Sequence, residues 1–130
     1  MTLAYACILV AALLPYLWTV VAKSAAPKFD NRDPRAWLAK QDNPKVHRAN
    51  GAQLNAFEAF APFAAAVLMA QAAGVDPGRI GTLAVTFVAL RVLHGLLYVG
   101  NKPTFRSLAW LAALACVVVL MALAIAAAGG

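Results

Sequence analysis

The chain has 130 residues, 63% of them hydrophobic and only 12% charged, with a net charge of +6 and a mean hydropathy of +0.73. A soluble domain is about 45–50% apolar and about 25% charged, so these values exclude a soluble globular domain and a disordered chain. With about 20 residues needed per bilayer-spanning helix, the length allows at most four or five spans and no second domain.

The first predicted span runs over about residues 3–22, interrupted only by Pro15 and Thr19. No Lys or Arg precedes it, and it is longer than a signal-peptide core of about 7–15 residues, so it is expected to remain as a helix. A polar loop, 23–47, follows. Within it, Asp33 to Leu38 can start a short interfacial helix with Pro34 at its first position, and Trp37 is expected at headgroup depth. The second span, 48–73, ends at the turn cluster Gly74-Val75-Asp76-Pro77-Gly78. The third, 80–99, leads through Gly100-Asn101-Lys102 to Pro103, which suits the first turn of the last span, 106–127. The apolar runs are too long for barrel strands and do not alternate with period two. The expected fold is an all-α integral membrane protein, a four-transmembrane-helix bundle. Its Ala-rich last helix is suited to close packing. Cys7 and Cys116 lie in apolar stretches with no metal or redox spacing.

The basic residues are concentrated. Lys23, Lys28, Arg32, Arg35, Lys40 and Lys45 fall in the first loop, Arg48 closes it, and Lys102 and Arg106 flank the third; the second holds only Arg79. Both basic loops lie on one side of a four-span protein. The positive-inside rule makes that side cytoplasmic (loops 23–47 and 100–105) and leaves both termini outside. The Ala-rich composition points to a bacterial inner membrane. No basic stripe with interleaved aromatics marks a nucleic-acid surface; anionic lipid headgroups are the expected contact of these charges.

Polar residues also occur inside the spans. At about 100° per residue, Arg48 and Asn55 share an azimuth and Glu58 lies about 60° away. Arg91, His94 and Tyr98, spaced by three and four, stack on one helix face. A charge at the bilayer centre costs roughly 2.5–3.5 kcal/mol on insertion scales. Both stripes should therefore face inward, with Glu58 close to Arg91. Arg106, at the start of the fourth span, joins them at the same depth. More polar groups converge than one salt bridge uses, which is the signature of a ligand pocket. Several arginines suit a ligand with carboxylates or phosphates, and Glu58 suits an ammonium. Glutathione carries two carboxylates, one ammonium and a thiol. A guanidinium or tyrosine hydroxyl shielded from water can lower a thiol pKa from about 8.5 into the working range.

The segment Arg48-Ala49-Asn50-Gly51-Ala52-Gln53-Leu54-Asn55-Ala56-Phe57-Glu58-Ala59-Phe60-Ala61-Pro62-Phe63 resembles the second-helix motif of the MAPEG family, the membrane-associated proteins of eicosanoid and glutathione metabolism. Arg91-Val92-Leu93-His94-Gly95-Leu96-Leu97-Tyr98, with Lys102-Pro103-Thr104-Phe105-Arg106-Ser107-Leu108-Ala109-Trp110, is similar to the third-to-fourth-helix region of bacterial members. The resemblance covers essentially the whole chain. It implies a homotrimer that binds glutathione between protomers near the cytoplasmic face. By motif position, Arg48, Asn55, Glu58, Arg91, His94 and Tyr98 would hold glutathione. Arg106 would stabilise its thiolate, with Tyr98 as a second catalytic candidate. The implied activity is a glutathione transferase or peroxidase acting on a lipophilic electrophile or hydroperoxide. Two positions depart from the pattern. Gly51 stands where well-known glutathione-binding members carry arginine, and His94 where several carry tyrosine.

Two other readings compete. A non-catalytic MAPEG-like protein, binding lipid or serving as an accessory subunit, would share all these features except thiol activation. A small four-helix multidrug exporter needs an acidic residue on its first helix, and here the only intramembrane carboxylate is Glu58 on the second span.

Overall fold

Proline opens four of the five helices. In the computed structural model, which describes residues 1–130, the elements are α1 (Thr2–Ser24), α2 (Pro34–Ala39), α3 (Pro44–Ala72), α4 (Pro77–Val99) and α5 (Pro103–Gly129). A proline at the first helical position loses nothing, because its missing N–H would have no partner there. Three of the four are preceded by a side-chain cap. Asp33 accepts from the Ala36 N–H at 3.1 Å, Asn43 from the Lys45 N–H at 3.0 Å and Asp76 from the Arg79 N–H at 3.0 Å. The caps at Asn43 and Asp76 explain why α3 and α4 begin at Pro44 and Pro77 and not at 48 and 80; α5, with no side-chain cap, begins at Pro103, which suits the first turn, and not at 106. Hydropathy marks where the chain enters hydrocarbon, whereas a cap marks where the helix starts outside it.

Four helices, α1, α3, α4 and α5, are long and apolar enough to cross a membrane. They run up and down. The loops around α2 and before α5 share one end, called here the basic end, and the α3–α4 turn lies at the other. α1 packs mainly on α3, α5 mainly on α4, and α3 and α4 on each other. The buried positions recur every three or four residues: Ala4, Cys7, Ala11, Leu14 and Trp18 on α1, and Ile80, Ala84, Phe87, Arg91 and His94 on α4. Alanines recur among the buried residues of all four long helices, which lets helix backbones approach without a hydrophobic driving force in lipid. At Gly95 the approach is closest, for a Cβ there would collide with the buried Trp18 indole. Away from the basic end, Phe63 and Phe87 stack at 4.0 Å with rings 6° from parallel.

The ends of α3 and α4 are closed alike. Gly74 (φ +80°) and Asn101 (φ +57°) take the left-handed conformation that glycine and asparagine tolerate best. The next N–H then turns back: Val75 to the Ala70 carbonyl at 3.0 Å, Lys102 to that of Leu97 at 2.9 Å. At α4 the remaining exposed carbonyls are also used. Leu96 accepts from Gly100 at 2.9 Å, Tyr98 from Asn101 at 3.2 Å, and Val99 from Arg48 Nε at 3.0 Å. No terminal carbonyl of α4 is left without a donor.

Trp37 lies inside the protein. It is buried against Ala22, Val46 and Ala49, with its ring centre 5.1 Å from that of Phe29 in an edge-to-face contact. The first loop folds back under α1 and α3, where Asn43 Nδ2 donates to the Ala25 carbonyl at 3.0 Å. The indole therefore has an apolar seat inside the protein.

Candidate functional site

The site is built on the basic-end halves of α3, α4 and α5, and it grades in depth. Tyr98 lies one residue before the end of α4. At 1.5 Å of rise per residue His94 is about 7 Å and Arg91 about 12 Å further in than Val99. Arg106 enters in the first turn of α5. The fixed end of α4 holds this ladder in register.

Arg91 is the deepest charge and is only 3% exposed. One of its guanidinium nitrogens, Nη2, donates to Asn55 Oδ1 at 2.7 Å, a charge-assisted bond between α3 and α4. The ion pair expected with Glu58 does not form. The chain's one ion pair within 4.0 Å is Arg32–Asp30 in the exposed first loop. Asn55 takes the guanidinium, and Glu58, three residues further along α3, is exposed. Both still line one cavity of about 180 Å³, together with Ala59, Pro62, Phe87, Arg91, Trp110, Ala113, Leu114 and Val117. Its walls are polar toward the basic end and apolar beyond.

A second cleft of about 240 Å³ adjoins the first, since Asn55 and Trp110 line both. His94, Tyr98, Arg106 and Ser107 complete it. Here the side chains are layered. The Arg106 guanidinium lies 4.4 Å from the centre of the Tyr98 ring, a cation–π contact. His94 meets Tyr98 edge-on at 5.8 Å. His94 itself is 2% exposed.

Two buried polar atoms have no hydrogen-bond partner: Arg91 Nε and His94 Nδ1. Buried polar groups are nearly always paired, and leaving one unpaired costs about 1–3 kcal/mol. Both belong to residues that line these cavities. Such a deficit is what a polar ligand would make good.

Of the residues singled out in the sequence, the structure brings Asn55, Glu58, Arg91, His94, Tyr98 and Arg106 together. Arg48 stands apart: it lines neither cavity and serves the end of α4 through the Val99 carbonyl. Ser107 and Trp110 were not singled out as site residues, yet both line the cleft. For Trp110 the signal was available, for it follows Arg106 by four residues and so shares its face of α5; Ser107, one residue on, is turned about 100° away and gave none.

A bundle of four helices long and apolar enough to cross a membrane, with a layered polar cleft in its basic half, is the structure of an integral, multi-pass membrane protein. The MAPEG family profile matches residues 3–126, and the chain belongs to that family. No curated protein and no solved structure gave a significant match.

Proposed function

We propose that the cleft binds glutathione and activates its thiol for attack on a lipophilic electrophile or hydroperoxide. The single observation that carries this reading is that Arg91 and His94, each with a buried nitrogen lacking a hydrogen-bond partner, line adjoining cavities, the first of which Glu58 also lines. Cationic and anionic demands within one cleft match a zwitterionic peptide better than a simple anion. Membership of a family of glutathione and eicosanoid metabolism supports the same choice.

In this reading Arg91, fixed by Asn55, takes a ligand carboxylate, and Glu58 takes the ammonium. Arg106, held on the Tyr98 ring at the rim, stabilises the sulfur as thiolate, and the thiol proton passes to water at the open basic end. The thiolate then displaces a leaving group from an electrophile, which departs with the bonding pair. With a hydroperoxide it attacks the outer oxygen: the O–O bond breaks, an alcohol leaves after taking up a proton, and a second glutathione reduces the sulfenic acid to disulfide and water. The apolar lining at Phe87, Leu114 and Val117 gives the lipophilic partner access from the bilayer.

The protein is proposed to act as a homotrimer. An exposed Glu58 within a membrane span needs cover from water, ligand or another subunit. The proposed location is a bacterial inner membrane; the positive-inside rule supports a cytoplasmic position for the basic end, with both termini outside. The test is calorimetric titration of the detergent-solubilised protein with glutathione. Saturable binding that is weakened in Arg91→Gln is the expected result; no binding to the folded wild type would remove the reading. Binding without thiol activation would convert it to the non-catalytic alternative, a lipid-binding or accessory role.

A further inference from the structure

Gly51 lies inside α3, two turns from its start, in ordinary helical conformation. Nothing in the backbone requires glycine there, and glycine weakens a helix interior. The reason lies on the neighbouring helix. A Cβ built at Gly51 would collide with the Tyr98 hydroxyl and stand 2.7 Å from Tyr98 Cζ and 3.0 Å from Cε1. Tyr98 occupies the space that any side chain at position 51 would need. The same ring carries the Arg106 guanidinium, 4.4 Å from its centre. Its backbone cannot retreat, because the Tyr98 and Val99 carbonyls are bound by the Asn101 N–H and by Arg48.

We propose that Gly51 is a positioning residue for Arg106, acting through Tyr98. The missing side chain forms the seat in which the Tyr98 ring lies, and the seated ring fixes the guanidinium at the mouth of the cleft. An arginine at 51 and Tyr98 in its observed place exclude one another. The importance of that placement for a thiolate rests on the function proposed above; the placement itself does not.

The experiment reads Arg106 directly. Solubilised protein is labelled with phenylglyoxal, an arginine reagent, and the rate at Arg106 is followed by peptide mass spectrometry. Arg79, at the opposite end of the bundle, is the internal reference. In Gly51→Ala the Arg106 rate should rise about two- to fivefold, the loss of one partly exposed cation–π contact. Tyr98→Ala should give the same rise, and the double variant no more than either. Gly51→Ser serves as a second variant, and melting curves confirm folding. Alanine at 51 should also lower the melting temperature less in the Tyr98→Ala background, where only its better helix propensity is left. An unchanged Arg106 rate in both Gly51 variants, or rises that add in the double variant, overturns the proposal. If the rates behave as expected while glutathione gives no thiolate signal with wild type, the functional reading has failed and the positioning role stands.

Discussion

The two halves of this bundle are packed by opposite rules. Away from the basic end, Ala4, Ala66, Ala70, Ile80, Leu120 and the Phe63–Phe87 stack fill the interior with apolar atoms. Toward the basic end the same helices carry Asn55, Arg91, His94, Tyr98 and Arg106, enclose two adjoining cavities, and leave two buried nitrogens unpaired. One half spends its sequence on stability. The other tolerates unmet hydrogen bonds, and a well-packed partner half is what makes that tolerable. The difference teaches that the cleft is a built feature and no packing accident, since small residues that could close it are available throughout the chain.

The sharpest way to test this division is to damage the apolar half alone. Leu120 is fully buried on α5. Leu120→Ala should lower unfolding stability by about 3 kcal/mol, measured by denaturant titration in micelles, with glutathione affinity unchanged. Equal loss of affinity would show that the halves are not separate. In the polar half, Asn55→Leu removes the acceptor from a nearly buried guanidinium. It should cost about 1.5–3 kcal/mol in the same titration and abolish glutathione binding in calorimetry. Glu58→Gln is milder: no ion pair is lost, so stability should hold while the glutathione dissociation constant rises about tenfold, the worth of one partly exposed charged contact. An unaltered constant would make Glu58 a contact between subunits and not a ligand group.

The smallest effect belongs to the exposed first loop. Hydrogen bonds from Arg32 hold the Asp30 carboxyl below the usual carboxylate range. A lowered native pKa contributes stability that is present above the unfolded value near 3.8 and lost as pH falls through the native one. Water screens a surface pair of this kind. Asp30→Asn should therefore leave the melting temperature at pH 7 within error, and any pH dependence should appear only under acid conditions.

The helices and their order were legible because long apolar runs have no other stable form in lipid. Their starts were less so, since Pro44 and Pro77 lie beyond the apolar stretch that hydropathy detects. The polar stripe Arg91, His94, Tyr98 followed from spacing alone. Which α3 residue meets Arg91 did not: Asn55 and Glu58 differ by less than one turn, and the choice depends on how far one helix slides along the other. The Trp37 seat depended on a loop folding back, which no periodicity encodes. Gly51 was legible as a departure from the family pattern, but its meaning was not. An absent side chain acquires a role only when the neighbour that fills its place is known.

The most direct measurement is an ultraviolet difference titration of the purified protein with glutathione, read in the thiolate absorption band, beside S-methylglutathione and the Arg106→Ala variant. The account predicts a saturable thiolate signal for wild type with glutathione only, and its loss in Arg106→Ala with folding preserved. A signal of full size in Arg106→Ala, or none in a wild type that binds glutathione, would contradict it.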